Sequence, residues 1–453
     1  MVDNHWSSRT TFLMASIGVA VGLGNIWRFP YVVGTSGGGV FVLIYVATIL
    51  VFAVPVLIAE LMIGRRGQHN PVDAIKTVCQ QEGRRPGLWN SIGFFSMAVP
   101  FISLAYYSVV AGWTLDYFIK SLSGAFSNVD SQQSAQIFDS LLASEPMVLL
   151  WHALIIAITA VIISRGLKAG LEKSIKILMP GLTLILIILV ISAAILGDFR
   201  MGMEFLFRPD FSKLSAETVL MAMGQGFFSL GIGAGSIMAY GAYMKQDISI
   251  PRMSLIIASA DTLVALMAGL IIFPFVFAFG LEPDSGPGLI FVTLPIAFGK
   301  IPLGSVLAAM FFLLLAAASL TTMLSMLECM TRLFEERFAW RRRTIVTLIA
   351  GASWCLGVLA VLSFNVLSDV FPLEMFTFFE GKTFFDLMDY SVANILIPFN
   401  GLLIVVFAGW AVSKKTTLME FGDLSQSWYQ VWRFIVRYVA PIGISTIFVL
   451  GLS

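Results

Sequence analysis

Apolar runs of about 20 residues follow one another along almost the whole chain, and short polar segments separate them. A helix of this length spans the hydrocarbon core of a bilayer. The pattern predicts an all-α polytopic membrane protein with about eleven helices, at roughly 10–35, 40–64, 88–121, 146–164, 171–196, 215–242, 253–281, 303–336, 344–363, 384–412 and 430–452.

The first and the sixth predicted helices are interrupted near the middle by glycines and hydrogen-bonding residues. The first contains VGLGN with Asn25, and the sixth, MGQGFFSLGIGAGSIMAYGAY, contains Ser229 and Ser236. Glycine costs about 1 kcal/mol relative to alanine inside a helix, so such clusters favour unwinding. Unwound carbonyls and half-helix ends can bind ions where they line a cavity. Alternatively, the glycines serve close helix packing, as Gly18 and Gly22 permit.

Interrupted helices at corresponding positions of two halves are typical of an inverted-repeat transporter whose site lies near the membrane midplane. We therefore expect a single transporter domain over residues 1–453. Its first five-helix repeat would cover about 10–196, its second about 215–412, and an extra helix about 430–452.

Composition agrees with a membrane protein, since 58% of the residues are hydrophobic and only 12% are charged. The net charge of +1 argues against nucleic acid as a partner. The three scattered cysteines indicate helix packing rather than disulfides or a thiolate metal site. The N-terminus lacks a cleavable signal pattern, so we expect the first helix to remain in the mature protein.

Lysine and arginine alternate between the short loops, which predicts the orientation of the chain. Residues 64–87 contain five, 164–176 four and 341–343 three, whereas 124–146 contain none. We expect a multi-pass protein of the cell's inner (plasma) membrane with a cytoplasmic N-terminus. An odd number of spans then leaves the C-terminus outside.

Polar residues inside the predicted spans indicate a cation site. Asp261 is the only ionisable residue between Arg252 and Glu282, and a carboxylate at mid-membrane costs at least about 2.5–3.5 kcal/mol. A bound cation would offset that cost. Ala318, Thr321 and Thr322 share one face of the eighth helix and offer oxygen ligands suited to sodium. Alternatively, the threonines bond back to their own helix.

A charged pair is available at the outer ends of the first and tenth helices. Arg28 follows the break in the first helix, and FFDLMDY offers Asp386 and Asp389. A gate is one interpretation, and an exposed salt bridge is the other.

In combination, these motifs resemble the neurotransmitter:sodium symporters, which are sodium-driven carriers of amino acids and related amines. The resemblance extends from Trp6 to about residue 450 and rests on VGLGNIWRFPY, GGGVF, AYYSVVAGWTL, FFSLGIG, SLTT and DLMDY. It implies the inverted-repeat fold, with helices 1 and 6 unwound at the midplane. Eleven helices are typical of the bacterial branch, and the chain is most similar to members that carry several hydrophobic amino acids.

The resemblance implies two sodium sites. The first would use the Ala20 carbonyl, Asn25, Ser229 and Asp261, completed by the substrate carboxylate. The second would use the carbonyls of Gly18, Val21 and Ala318 with the hydroxyls of Thr321 and Thr322.

The resemblance also implies a substrate site, in which Tyr107 binds the substrate carboxylate and Phe228 forms a lid. Arg28 and Asp389 match the outer gate. The complete set of expected substrate residues is Val19, Ala20, Leu23, Gly24, Ser103, Tyr107, Phe228, Ser229, Gly231, Ala234, Thr322 and Met326. Small residues at 231 and 234 and an adaptable methionine leave room for large apolar side chains, aromatic ones included.

Two positions depart from the family pattern. Asp261 places a fixed negative charge beside Tyr45, Gln225 and Ser229, which predicts transport that is independent of chloride. The family's arginine before the N-terminal tryptophan is absent, because residues 3–5 are Asp-Asn-His. Glu336 matches its acidic partner, so the inner gate is left without its usual cation.

The segment GLEKSIKILMP has nine residues between Gly170 and Pro180 at the start of the fifth helix. Glycine and proline weaken a helix, so local unwinding here could open a water path to the second sodium site. Alternatively, the segment is an ordinary boundary between loop and helix.

The expected function is sodium-coupled import of hydrophobic L-amino acids such as Leu, Ile, Tyr, Phe and Trp by alternating access. A sensor that binds an amino acid without concentrating it is one alternative, and a substrate-gated channel is another. An intramembrane hydrolase is a third, because Gly34–Gly38 satisfies G-x-S-x-G and His152 could serve as base. Neither a nucleophile elbow nor an oxyanion setting accompanies that pattern.

Overall fold

The computed structural model describes residues 6–283, 286, 288–338, 340–422 and 426–450. Within these ranges, nine continuous helices are long and apolar enough to cross a membrane. They are Gly39–Gly67, Gly87–Leu122, Glu145–Ser164, Leu167–Leu196, Ile250–Ala278, Gly304–Arg337, Arg342–Leu362, Phe384–Ala411 and Gln426–Leu450. The predicted all-helical membrane fold is therefore confirmed.

The two remaining predicted spans are broken. Arg9–Ala20 and Gly24–Thr35 form one span bent by 49°. The predicted span at 215–242 is two shorter helices, Ala216–Ser229 and Ser236–Gly241, neither of which could cross a bilayer alone. We number the spans 1 to 11 in chain order, so the two broken ones are spans 1 and 6.

Short helices connect the spans at both ends. They are Pro71–Gln81, Ser131–Ala143, Phe199–Phe207, Leu289–Gly299 and Lys414–Phe421. Their ends follow ordinary capping rules: the Asn70 side chain accepts the N–H groups of Val72 and Asp73, and Pro71 occupies the first turn. These helices fix where each span enters the bundle.

The breaks of spans 1 and 6 lie inside the bundle, where Val21, Leu230 and Ile232 are buried. Span 3 packs along span 8, and both are largely buried, with 67% and 72% of their apolar windows inside the protein. In contrast, only 28% of span 5 and 22% of span 11 are buried, which leaves apolar faces for lipid. Spans 3 and 8 therefore form the wall against which the centre of span 1 is placed.

The break in span 1 follows from close approach of its backbone to neighbouring side chains. Val21 is extended, with φ −74° and ψ 99°. A Cβ on Gly22 would lie 2.5 Å from the Tyr107 hydroxyl and 2.6 Å from Thr322 Oγ1. The freed Leu23 N–H donates to that Tyr107 hydroxyl at 2.8 Å. Glycine is thus required where the chain leaves the helix.

The break in span 6 depends on three glycines in left-handed conformation. Gly231, Gly233 and Gly235 have φ of 59°, 85° and 78°, values that other residues rarely adopt. The Gly233 N–H donates to Glu60 Oε1 at 2.7 Å, and its carbonyl accepts from Asn400 Nδ2 at 2.7 Å. Spans 2 and 10 thereby satisfy backbone groups that would otherwise be unpaired in the bundle.

Candidate functional site

A cluster of polar side chains lies where the breaks of spans 1 and 6 meet span 7. Asp261 is fully buried there and accepts three hydrogen bonds. Asn25 Nδ2 donates to Oδ1 at 2.7 Å, while the Ser229 and Tyr45 hydroxyls donate to Oδ2 at 2.7 and 3.3 Å. The structure thus brings together Asn25, Ser229 and Asp261, from three different spans.

Further oxygen atoms surround this carboxylate. Asn25 also donates to Ser229 Oγ at 3.1 Å and to the Asp261 carbonyl at 3.0 Å. Gln225 Nε2 donates to the Gly24 carbonyl at 2.8 Å, and Gln225 Oε1 is buried with no hydrogen-bond partner among the described residues. A set of carboxylate, amide, hydroxyl and carbonyl oxygens is what hard cations prefer.

The second predicted ligand set lies between span 1 and span 8. Thr321 Oγ1 donates to the Ala318 carbonyl at 2.8 Å, and Thr322 Oγ1 lies 3.3 Å from the same carbonyl. Thr322 Oγ1 also lies 3.4 Å from the Val19 carbonyl of span 1. Both hydroxyls bond back to their own helix, as the alternative interpretation held, and one also faces the break. A Cβ on Gly18 would contact Thr321 at 3.4 Å.

A cavity opens beside the Asp261 cluster. Eleven of the twelve expected substrate residues line it, namely Val19, Ala20, Gly24, Ser103, Tyr107, Phe228, Ser229, Gly231, Ala234, Thr322 and Met326. Leu23, the twelfth, is buried but is not among the lining residues. Its backbone N–H donates to the Tyr107 hydroxyl. The predicted set therefore surrounds one shared space.

Sequence reasoning missed six residues that line the same cavity: Gly22, Val99, Pro100, Tyr106, Val392 and Ile397. Tyr106 is three positions after Ser103, and Val392 is three positions after Asp389, so both could have been inferred from helical spacing. Val99 and Pro100 lie one turn before Ser103 on span 3. Their apolar character gave no signal that distinguishes them from ordinary core residues.

The predicted outer gate residues contact side chains that line this cavity. The Arg28 guanidinium carbon stands 4.3 Å from the centre of the Phe228 ring, a cation–π contact that joins a predicted gate residue to the predicted lid residue. The Tyr31 hydroxyl is within hydrogen-bonding reach of Arg28, and the Tyr106 hydroxyl is within reach of Asp389. Both charged residues are described, and no ion pair of 4.0 Å or less joins them, although each attracts the other.

Comparison with known proteins decides the family. The chain matches the model of the sodium:neurotransmitter symporter family over residues 3–140 and 136–453. It belongs to this family. The symporter is 35% identical to the uncharacterized sodium-dependent transporter YhdH of Bacillus subtilis, over 98% of this chain and 96% of that protein. An uncharacterized sodium-dependent transporter of Haemophilus influenzae is 31% identical over 99% and 98% of the two chains.

A solved structure agrees with this assignment. The crystal structure of MhsT in complex with L-phenylalanine superposes on the symporter with a TM-score of 0.90. The two chains are 36% identical, and the match covers 99% of each. The protein is thus a multi-pass membrane transporter coupled to sodium, and its family consists of transporters rather than enzymes.

At the other end of the symporter, Glu336 has a cation from its own helix. Arg332 Nε donates to Glu336 Oε1 at 2.7 Å, and Asn70 Nδ2 donates to Oε2 at 2.8 Å. Arg332 also stacks on the Tyr243 ring at 3.9 Å and donates to the Gln68 carbonyl. Residues 3–5, where the family's arginine is missing, lie outside the described residues.

The N-terminal tryptophan of the symporter closes the same end. Trp6 is buried, and its indole N–H donates to the Tyr240 carbonyl at 3.2 Å. The following Ser7 N–H donates to Glu172 Oε1 at 3.0 Å. The start of span 1 is therefore bonded to span 6 and to the first turns of span 5.

The segment from Gly170 to Pro180 is helical in the symporter. Residues Leu167–Glu172 form a wide π-type turn, and Lys173–Leu196 continue as an α-helix through Pro180. A Cβ on Gly170 would lie 2.1 Å from the Ile162 carbonyl, so close packing against span 4 already requires this glycine. The unwinding expected between Gly170 and Pro180 remains a prediction, and it concerns a different conformation of the transporter.

His152 of the symporter is engaged within the bundle. Its Nδ1 lies 3.0 Å from Ser108 Oγ and its Nε2 lies 3.2 Å from the Trp354 carbonyl. Ser36, the serine of the G-x-S-x-G pattern, ends the outer half of span 1. Both ring nitrogens of His152 therefore have partners other than Ser36, and they join spans 3, 4 and 9.

Proposed function

We propose that the symporter imports hydrophobic L-amino acids, aliphatic and aromatic, together with sodium. The observation that carries this proposal is the lining of the central cavity. Its side-chain end is formed by Val99, Ala234, Met326 and Ile397, and none of the described lining residues is acidic or basic. An apolar side chain would be desolvated there without leaving a charge unpaired. The relative crystallised with L-phenylalanine has the same fold.

The polar end of the cavity suits the α-carboxylate and α-ammonium groups common to all amino acids. The Tyr107 hydroxyl points at the break in span 1, where it already accepts the Leu23 N–H. Released carbonyls of spans 1 and 6 are acceptors for an ammonium group. Specificity for amino acids thus comes from the breaks, and preference among them comes from the apolar wall.

Two sodium ions would be transported with each amino acid. The first would be held by the Ala20 carbonyl, Asn25, Ser229 and Asp261, with the substrate carboxylate as the last ligand. The second would be held by the Gly18, Val21 and Ala318 carbonyls with Thr321 and Thr322. Because span 1 contributes to both sites, sodium binding stabilises one arrangement of that span relative to spans 6, 7 and 8.

Alternating access would proceed between the repeats at about 10–196 and 215–412. Phe228, Arg28 and Asp389 would close the outer path once the amino acid is bound. Release of the second sodium ion, helped by unwinding between Gly170 and Pro180, would free the inner half of span 1. Coupling follows because each ligand binds one of the two states more tightly.

Chloride would not take part in this cycle. Asp261 places a carboxylate among Tyr45, Gln225 and Ser229, at hydrogen-bond distance from two of them. A second anion at that place would be repelled by the carboxylate at close range. The fixed charge instead balances sodium in the first site.

The test is uptake of tritiated leucine into proteoliposomes under an inward sodium gradient. We expect concentrative uptake that needs sodium, persists when gluconate replaces chloride, and is blocked by unlabelled tryptophan, tyrosine and isoleucine. Competition by glycine or GABA alone would contradict the apolar specificity. Sodium-dependent binding of leucine without accumulation would show that the protein is a sensor. Loss of uptake when gluconate replaces chloride would show that transport depends on chloride.

A further inference from the structure

A polar cavity lies at the N-terminal end of spans 1 and 7, away from the central site. It has a volume of about 400 Å³ and contains three arginines, Arg9, Arg65 and Arg252. Arg9 is the first residue of span 1, and Arg252 lies in the first turn of span 7. The helix Lys414–Phe421 forms the opposite wall.

The acids that the structure describes in this cavity do not neutralise all of its cations. Glu420 is shared by Arg65, at 2.7 Å, and by Arg66, at 3.6 Å. Among the described residues, Asp247 is the other acid that lines the cavity. Arg9 and Arg252 are exposed, and neither forms an ion pair of 4.0 Å or less with any described residue. The positive end of the span 7 helix dipole adds to their field.

An apolar groove continues directly from the polar cavity along the surface of the bundle. Its volume is about 320 Å³, and Arg252 and Phe421 belong to both spaces. The groove runs between spans 2, 7 and 11, and Leu50, Leu255 and Trp428 line it with 56%, 44% and 65% of their surfaces exposed. Trp432 Nε1 donates to the Pro55 carbonyl at 3.0 Å, and this hydrogen bond joins spans 11 and 2 in the groove.

We propose that the cavity and the groove together bind one anionic phospholipid of the leaflet on the N-terminal side. The phosphate would lie between Arg9 and Arg252, and an acyl chain would lie in the groove beside Leu255 and Trp428. A cationic pocket that opens into an apolar, lipid-facing channel matches both parts of such a molecule. A tryptophan at the rim is typical of the membrane interface. With the orientation proposed above, this is the cytoplasmic leaflet.

The position of the site connects lipid binding to the transport cycle. Arg9 begins the inner half of span 1, the element whose release would open the inner path. A phosphate between Arg9 and Arg252 links this half to span 7, which carries Asp261. Anionic lipid would therefore favour the state in which the inner half of span 1 stays bound to span 7. It would slow the movement of that half away from span 7.

Native mass spectrometry of the purified symporter can test the proposal without any transport. The probes are phosphatidylglycerol and phosphatidylcholine with identical acyl chains. We expect retained phosphatidylglycerol adducts and weaker phosphatidylcholine adducts. Because one basic residue near an anionic lipid surface contributes about five-fold in affinity, Arg252→Gln should weaken phosphatidylglycerol binding by roughly that factor. Arg9→Gln should do the same.

Arg343→Gln is the matched control, because Arg343 is also an exposed arginine near a span end but lies outside the cavity. It should leave the adducts unchanged. Leu255→Trp fills the exposed groove while both arginines stay, so it should reduce phosphatidylglycerol binding and keep the fold. Thermal unfolding identifies any variant that fails to fold.

Three results would overturn the proposal: equal binding of both lipids, equal loss in Arg343→Gln, or full binding in Leu255→Trp. Displacement of the lipid by millimolar inorganic phosphate, with no effect of Leu255→Trp, would instead show a site for free anions. Failure of these lipid measurements would leave sodium-coupled uptake unaffected, so the two proposals are tested separately.

Discussion

At the residue scale, Asp261 is the strongest indication of a cation site. It is a buried carboxylate, and its hydrogen-bond donors are all neutral. Asn25, Ser229 and Tyr45 satisfy its oxygens but do not balance its charge. A buried charge without a counter-ion is costly, and its cost is relieved when a cation binds beside it. Sodium affinity and the charge at this position are therefore linked.

Asp261→Asn keeps the shape of the side chain and removes its charge. We expect sodium affinity to fall about tenfold or more, which corresponds to about 1.4 kcal/mol. Substrate affinity should fall with it, because in the proposed site the substrate carboxylate is a ligand of that sodium ion. Sodium-dependent binding of radiolabelled leucine measures both.

Ser254→Ala is the control for this prediction, since Ser254 is buried in the same span and its hydroxyl has no partner among the described residues. It should leave sodium affinity unchanged. Unaltered sodium dependence in Asp261→Asn would contradict the assignment of the first site.

Ala234→Leu tests the apolar part of the cavity lining, to which Ala234, Met326 and Ile397 belong. The larger side chain removes space that an aromatic substrate needs, because packed interiors yield little to added atoms. We expect competition by tryptophan and phenylalanine to weaken more than tenfold, while alanine or valine still compete and sodium dependence is kept. If competition by small and by large amino acids weakened equally, position 234 would affect folding rather than selectivity.

Much of the site could be predicted from the sequence, because its residues are polar in an apolar context or belong to a family motif. Asn25 and Ser229 satisfy both conditions, whereas Asp261 satisfies only the first, because it departs from the family pattern. The contact of Tyr106 with Asp389 and the cation–π contact of Arg28 with Phe228 could not be predicted. They join residues that are distant in sequence, and their side-chain orientations depend on how the spans pack.

At the element scale, the break in span 6 is held from two sides. Glu60 of span 2 accepts the Gly233 N–H, and Asn400 of span 10 donates to the Gly233 carbonyl. The sequence indicated that glycines would interrupt this span. It gave no sign that Glu60, 173 positions away, would receive the released amide.

Glu60→Ala leaves the Gly233 amide unpaired in the bundle, which costs about 1–3 kcal/mol. We expect the apparent Tm of the detergent-purified protein to fall by several degrees and uptake to fall with it. Glu60→Gln should restore most of the stability, since its carbonyl oxygen can accept the same N–H.

Glu204→Ala serves as the comparison for Glu60, because Glu204 is half exposed and its one ion pair among the described residues is with Arg200, which is 89% exposed. Its Tm should match that of the unaltered protein. A Tm for Glu60→Ala that also matches would show that another group satisfies the Gly233 amide.

At the inner gate, the partner of Glu336 was not predicted from the sequence. The missing arginine before Trp6 left Glu336 without its usual cation, and the sequence suggested no replacement. Arg332 lies four residues before Glu336 on span 8, so the pair is one helical turn apart. Helical spacing alone is therefore sufficient to predict this pair.

At the scale of the whole molecule, the loop charges predict the orientation. In a background without native cysteines, Ser140→Cys and Arg84→Cys place single exposed thiols in loops predicted to lie on opposite sides. A membrane-impermeant maleimide applied to intact cells should label Ser140→Cys at once. It should label Arg84→Cys only after the membrane is permeabilised, and the reverse pattern would invert the topology.

The neutral surroundings of Asp261 also have an electrical consequence. When the carrier returns without ligands, its centre presents a net negative charge to the membrane field. With two sodium ions and a zwitterionic amino acid bound, as proposed, the same centre is net positive. A membrane potential contributes about 2.3 kcal/mol per elementary charge per 100 mV, and a negative interior drives both half-cycles toward import. Accumulation should therefore follow the membrane voltage as well as the sodium gradient.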